Sequence, residues 1–207
     1  MMTILYEVGE NLYVNITNKC PCACTFCIRK NGDGAYGSDS LWLEHDPSFE
    51  EIKQAFDSVD INRYNEIVFC GYGEPLVRID VLIQICKYLK EKGCPPIRLN
   101  TNGLSDLIHN KPTAYLLEGC VDIVSISLNA GTEKGYMDVT RPSFKEGAYK
   151  AVLDFAEDCK KYIPKQMFTV VDVISEEEIQ LAQKQAEKLG IKFRVRKYDC
   201  WGEVWKK

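Results

Sequence analysis

Short apolar runs alternate along this chain with longer stretches in which apolar residues recur every three or four positions. The first kind reads as buried strands, the second as helices packed on one face. Leu12-Tyr13-Val14-Asn15-Ile16 predicts a first strand near 12–17. After the glycine-dense segment Asn31 to Gly37, Asp46-Pro47 predicts an N-cap with proline at the first helical position. Phe49, Ile52, Ala55, Phe56 and Val59 then keep helical spacing. Glu66-Ile67-Val68-Phe69-Cys70 predicts the second strand, and a helix from about Ile79 to Lys92 follows, closed by Gly93. Ile97 to Asn100 reads as the third strand, and Pro112 interrupts the helix after it. Asp122 to Leu128 reads as the fourth. A short helical piece from Thr132 to Asp138 and a helix from about Phe144 to Lys161 connect it to a fifth, Met167 to Val173. Ser175-Glu176-Glu177-Glu178 predicts a capping box opening a helix that ends at Gly190. Lys192 to Tyr198 reads as the sixth strand, and 199–207 as a short tail.

Strand and helix thus alternate six times, which predicts parallel βαβ units with right-handed crossovers. Six units of roughly 34 residues, about the size of one such unit, account for the whole chain. A complete eight-unit barrel takes about 250 residues. The expected architecture is α/β, an open partial (βα)6 TIM-like barrel with a parallel sheet, as a single domain over 1–207. A doubly wound sheet would carry G-x-G-x-x-G after its first strand, and the turn here is rich in cysteine instead. In barrels of this kind chemistry sits at the C-terminal ends of the strands. The cysteine loop after the first strand and the turns Gly71–Pro75, Thr101–Gly103 and Leu128–Gly131 all fall there.

The N-terminal residues carry neither a basic n-region nor a long apolar stretch, so no signal peptide is expected, and no window is apolar enough for a membrane span. That predicts a cytoplasmic protein with reduced thiols. A net charge of −4 makes a nucleic-acid partner an unfavoured expectation. Ten cysteines are many for such a chain, and four of them lie within eight residues, Cys20 to Cys27. Cys20, Cys24 and Cys27 stand in a C-x3-C-x2-C spacing. Closely spaced soft thiolates ask for a metal, and a closed zinc or iron–sulfur site wants four ligands. Three leave one metal position open for chemistry. Cys22-x-Cys24-x2-Cys27 is an alternative triplet, and a zinc site is an alternative occupant.

The C-x3-C-x2-C motif, with the aromatic Phe26 before its last cysteine, resembles the cluster motif of the radical S-adenosylmethionine (radical SAM) superfamily. The resemblance covers nearly the whole chain. It implies a [4Fe–4S] cluster held by Cys20, Cys24 and Cys27, with SAM chelating the fourth iron. It further implies an enzyme that cleaves SAM reductively to a 5′-deoxyadenosyl radical. Gly71-Tyr72-Gly73-Glu74-Pro75 is similar to the family's G-G-E-P motif, with Tyr72 where the first glycine would stand. This implies that Gly71, Tyr72, Gly73 and Glu74 receive the SAM amino group. Thr101-Asn102-Gly103 resembles the T-N-G of many members, and Ser125, Ser127 and Asn129 resemble the polar positions that meet ribose or the methionyl carboxylate. Val173-x-Ser175-x-x-Glu178 keeps the spacing of the apolar residue and the Glu in G-x-I-x-G-x-x-E but lacks its glycines. It implies an adenine contact from Val173, while Glu178 is already explained as the capping-box residue. Arg194 and Arg196 alternate with Phe193 and Val195 and share one strand face. If that face is the interior, both are expected contacts to SAM's carboxylate or to an anionic substrate, with Arg194 counted among the SAM contacts. If it is the outer face, they are solvated charges.

The run Ile123 to Arg141 and the ending Arg194-Val195-Arg196-Lys197-Tyr198 resemble the small TatD-associated radical SAM proteins. The expected partners are SAM, a peptide, protein or small-molecule substrate, and an electron donor such as flavodoxin or ferredoxin. The alternative is an iron–sulfur or SAM-binding protein that passes electrons without radical chemistry. Arg141-Pro142 is a candidate substrate-side element, Cys200 a candidate substrate-facing residue and Cys22 a spectator. Cys70, Cys86, Cys94 and Cys159 read as small buried hydrophobes, and His45 and His109 as lone histidines without metal spacing.

Overall fold

The computed structural model describes residues 2–198, so the 199–207 tail and Cys200 lie outside the described residues. Seven strands form one sheet in chain order: β1 (Leu5–Val8), β2 (Asn11–Val14), β3 (Glu66–Phe69), β4 (Ile97–Thr101), β5 (Ile123–Ser127), β6 (Lys165–Val171) and β7 (Lys192–Arg196). From β2 onward every neighbouring pair is parallel. The helices between them are α1 (Phe49–Asp57), α2 (Ile79–Glu91), α3 (Ser105–His109), α4 (Glu133–Thr140), α5 (Ala148–Tyr162) and α6 (Glu176–Leu189).

The six expected parallel strands are therefore present, the first five of them followed by helices, but the sheet is not wholly parallel. β1 pairs antiparallel with β2, with Leu5 opposite Val14. The hairpin turns on Gly9-Glu10, with Gly9 at φ +58°, a left-handed conformation that glycine adopts without steric cost. The strand expected near 12–17 is the second of the sheet and ends at Val14. The expected Asp46-Pro47 cap is displaced to Ser48. The Ser48 hydroxyl accepts from the Glu51 N–H while the Glu51 carboxylate accepts from the Ser48 N–H, a complete capping box. Asp46 is drawn off instead by the Thr17 hydroxyl and the Lys19 ammonium, each at 2.7 Å. The helix expected from Phe144 begins four residues later, at Ala148, after Gly147 in the left-handed region.

Alternation along the strands sorts side chains onto two faces. Leu12, Val14, Ile67, Phe69, Ile97, Leu99, Val124, Ile126, Phe168 and Val170 point outward into one core with the helices, among them Ile52, Phe56, Leu82, Ile85, Leu89, Val152, Phe155 and Ala182. Burying each large apolar side chain stabilises by about 1.5–3 kcal/mol. This face holds the fold together, and truncating the fully buried Phe168 to Ala would cost about 3–5 kcal/mol. The opposite, inner face mixes polar and apolar residues and is most polar near the strand ends: the register puts Tyr13, Val68, Arg98 and Ile123 in one row, Asn100, Ser125 and Met167 in the next, and Ser127, Thr169 and Arg194 above them.

Candidate functional site

The loop after β2 is fixed by backbone bonds to the end of α4. Thr25 N–H donates to Val139 C=O at 2.8 Å, Ala23 N–H to Thr140 C=O at 3.1 Å, and Ser143 N–H to Pro21 C=O at 2.7 Å. Cys22 and Pro142 form an antiparallel bridge. Arg141, in the left-handed conformation that ends α4, offers its carbonyl to the same Ala23 N–H while its side chain is exposed. The expected substrate-side element thus serves, through its backbone, to hold the cysteines.

Within the loop the sulfurs of Cys20 and Cys24 both engage Cys22, which is buried. The two neighbouring sulfurs and its burial push the Cys22 thiol far up. Its hydrogen bond is the main reason that Cys20 falls to about 6 and that Cys24 falls as well. Asn102 points its Nδ2 at Cys20 and Cys22, 3.9 and 3.8 Å away. Cys27 stands one turn further on, its N–H on the Cys24 carbonyl at 3.3 Å, and Phe26 beside it is half-buried. None of the described cysteines is in a disulfide.

Two turns pack beneath this loop. Gly73 is pressed against the backbone just before Cys20: a Cβ there would lie 2.3 Å from the Thr17 carbonyl oxygen and 2.7 Å from that of Lys19. Only glycine allows that approach. A Cβ on Gly71 would overlap Asn15 Oδ1 at 2.1 Å. Tyr72 is buried, and its hydroxyl lies 2.7 and 2.9 Å from the Gly32 and Gly34 carbonyls, holding the glycine-dense segment. Glu74 joins the second turn to the third. Its carboxylate accepts from Leu76 N–H at 3.0 Å, Thr101 Oγ1–H at 2.8 Å and Asn102 N–H at 2.7 Å. It is 3% exposed, and burial, with Cys20 nearby, lifts it to about 7. Thr101 also accepts from Gly103 N–H, so its hydroxyl is committed to this knot.

Across the sheet, Ser127 is half-buried on the inner face. Asn129 is buried with φ +61°, its N–H on the Thr169 carbonyl and its Oδ1 without a hydrogen-bond partner among the described residues. Val173 is exposed and lines a shallow cavity of about 280 Å³ together with Gly135, Asp138, Val139 and Ile174. Arg194 stands opposite Thr169 and is exposed on the inner face. Ser175 caps α6 as expected, accepting from Glu178 N–H, but the box is not closed. The Glu178 carboxylate turns away to accept from Gly131 N–H at 2.7 Å, Thr132 N–H at 3.0 Å and the Thr132 hydroxyl at 2.5 Å. Three donors on a distant turn outcompete the single exposed N–H of Ser175.

Two residues the sequence did not single out belong to the site. Asn15 is fully buried against Gly71, its Nδ2 on the Leu41 carbonyl at 2.8 Å. Tyr136, on α4, is 1% exposed, and its hydroxyl has no partner among the described residues. It lies within electrostatic reach of Cys22, Cys24 and Cys20, which together with burial raises it far above the ordinary phenol range. Its helical spacing marks it only as a core residue, so no sequence signal distinguishes it.

The donors fit an iron–sulfur cluster with a polar ligand beside it: soft thiols on one fixed loop, and three buried polar atoms of the site, Asn15 Oδ1, Asn129 Oδ1 and Tyr136 Oη, without a hydrogen-bond partner among the described residues. Comparison with known proteins agrees. The chain is 30% identical over 145 residues to GTP 3′,8-cyclase of Limosilactobacillus fermentum, a match covering 68% of this chain and 41% of that protein. It is 27% identical over 176 residues to a Methanocaldococcus jannaschii protein named as a glycyl-radical enzyme activating enzyme, covering 80% of this chain and 68% of the other. The chain thus spans about two fifths of the cyclase it matches. Streptococcus suis SuiB, solved with S-adenosylmethionine, shares the fold at a TM-score of 0.65 with 16% identity, over 95% of this chain and 42% of SuiB. The Radical SAM superfamily pattern itself matches residues 14–185, most of the chain and all of the turns described above, and the chain belongs to that superfamily.

Proposed function

We propose that the chain is a radical SAM enzyme whose Cys20, Cys24 and Cys27 hold a [4Fe–4S] cluster, and that the described fold is one catalytic domain. The observation that carries this reading is the Glu74 knot. It ties the Gly71–Pro75 and Thr101–Gly103 turns together directly under the cysteine loop, where family membership puts the cofactors. When bound, the cluster supplies the electron that cleaves SAM. The chain's own residues position the partners. Gly71, Tyr72 and Gly73 offer turn backbone, and the Glu74 carboxylate, already holding three donors, has room for one more from an ammonium. Ser127 and the free Asn129 Oδ1 face the space a ribose or carboxylate would take, Val173 the apolar flank for adenine, and Arg194 a carboxylate from the open side. Asn102 donates toward the sulfurs. Cys22 is a spectator, buried beside the ligands.

Finer features of the reading are a cytoplasmic protein served by a flavodoxin or ferredoxin, and kinship with the TatD-associated members, supported by Ile123–Arg141 and Arg194–Tyr198. No helix among the described residues is long and apolar enough to cross a membrane. SuiB, also solved with its precursor peptide, supports a peptide as one substrate class. The test is anaerobic reconstitution with iron and sulfide followed by reductant and SAM. Wild type and Cys22→Ala should retain the cluster and release 5′-deoxyadenosine, and Cys20→Ala, Cys24→Ala and Cys27→Ala should lose both. Iron-loaded wild type that yields no 5′-deoxyadenosine sinks the enzyme reading, and loss of iron in Cys22→Ala but not Cys20→Ala sinks the ligand set.

A further inference from the structure

Asn102 divides its polar groups between its own turn and the cysteine loop. Its backbone N–H donates to the Glu74 carboxylate at 2.7 Å. Its side-chain Oδ1 accepts from the Leu104 N–H, two residues on, at 2.9 Å, which closes an Asx turn. Only the oxygen of an amide can accept from a backbone N–H, so this bond fixes which way the side chain is turned. The NH2 end must face away from the turn. It meets Cys20 Sγ at 3.9 Å and Cys22 Sγ at 3.8 Å, within reach of a hydrogen bond to an atom as large as sulfur. Among the described residues it is the one side-chain nitrogen bonded to a sulfur of the cysteine loop, and those sulfurs are its only acceptors. Cys20 is fixed in the same frame. Glu74 holds the Asn102 N–H through its carboxylate and, through its own N–H, the Lys19 carbonyl at 2.8 Å, one residue before Cys20. Donor and sulfur thus hang from one buried residue, and the donor is in place before any metal arrives.

Hydrogen bonds to the sulfurs of an iron–sulfur cluster help to set its reduction potential. An N–H aimed at a ligand sulfur is a charge-assisted donor, and it favours the reduced cluster, which carries one more negative charge. We propose that Asn102 is a positioning residue that sets the potential of the cluster: its amide donates to the Cys20 sulfur and makes the cluster easier to reduce. This rests on the radical SAM reading, in which Cys20 is a ligand. It also takes the Asn102 side chain away from SAM, because its oxygen is spent on Leu104 and its nitrogen on sulfur.

Protein labelled with ¹⁵N in its asparagine side-chain amides would be reconstituted anaerobically, reduced, and measured by pulsed electron paramagnetic resonance. A ¹⁵N coupling to the reduced cluster is expected. It should vanish in Asn102→Ser, whose hydroxyl can still accept from the Leu104 N–H. In a potentiometric titration Asn102→Ser should shift the reduction equilibrium about tenfold toward the oxidised cluster, about 59 mV for one electron. Asn102→Asp keeps an oxygen toward Leu104, sets a second one against the sulfur, and should shift it further the same way. The SAM affinity of Asn102→Ser should stay at the wild-type value. No ¹⁵N coupling in wild type overturns the proposal, as does an Asn102→Ser protein that loads iron fully and titrates at the wild-type potential. Loss of SAM affinity in Asn102→Ser overturns it too, by giving the side chain to SAM. Should Asn102→Ser take up no iron, the wild-type coupling decides, since no other asparagine side chain among the described residues meets a sulfur of the loop. 5′-Deoxyadenosine released by the wild-type samples separates the two claims: release without the coupling removes the role of Asn102 alone, and the coupling without release removes the enzyme reading alone.

Discussion

Two glutamates divide the rim of strand ends between them. Glu74 gathers Leu76 N–H, Thr101 Oγ1–H and Asn102 N–H on one side. Glu178 gathers Gly131 N–H, Thr132 N–H and Thr132 Oγ1–H on the other. Each carboxylate takes three donors, two from backbone and one from a threonine, and each stitches a turn to a neighbouring element. Their surroundings differ. Glu74 is buried, and its own N–H is on the Lys19 carbonyl, one residue before Cys20. Glu178 is half-buried and joins the β5 turn to α6, its carboxylate bonded to Gly131 and Thr132. The same device thus ties into the cysteine loop on one side and into the scaffold on the other.

Removing the carboxylates should break this symmetry. Glu74→Ala strands three donors in a buried place and should cost about 4 kcal/mol, read by chemical denaturation of the metal-free protein. The variant should also take up less than half of the wild-type iron on reconstitution. Full iron uptake would show that the knot supports the turns without shaping the cysteine loop. Close backbone contacts give a second comparison. Gly73→Ala forces a Cβ onto the Thr17 and Lys19 carbonyls, and Gly131→Ala forces one onto Leu181 Cβ at 2.3 Å and Ala182 N at 2.4 Å. Each should cost about 3 kcal/mol, as overpacked positions do, but only Gly73→Ala should lower iron content. Equal iron loss in both would mean that the rim moves as one body.

Much of this was legible because the outer face follows simple rules. Buried strand runs and helical spacing located six strands and their helices, since each must bury an apolar face. The strand ends brought the three motifs together for the same reason. β1 escaped because four residues closed by Gly9 make a weak pattern. The cap at Ser48 was hidden by Asp46, a better-looking residue already claimed by Thr17 and Lys19. The alternation of Arg194 and Arg196 was plain, but which face they took was decided by register against Thr169 and Val171. Glu178 shows the limit most clearly. Ser175 and Glu178 satisfy the local rule for a capping box, while the carboxylate's partners lie 46 and 47 residues away. Nothing short-range in the sequence encodes that choice.

The smallest effects test that choice directly. Glu178→Ala should cost about 2 kcal/mol, because its three donors are only partly buried and water replaces part of what is lost. Iron uptake should be unchanged. Ser175→Ala removes a single N-cap acceptor and should cost about 1 kcal/mol. In a closed capping box the two side chains support each other, so the double variant would cost less than the sum of the single ones. Here the Ser175 hydroxyl serves the Glu178 N–H while the Glu178 carboxylate serves another turn. Replacing the carboxylate leaves that N–H in place, so the two costs should add to within about 0.5 kcal/mol. A coupling energy of 1 kcal/mol or more in urea denaturation of the four proteins would restore the capping box. It would also leave the Gly131 turn without its carboxylate, and the likeness to Glu74 would go with it.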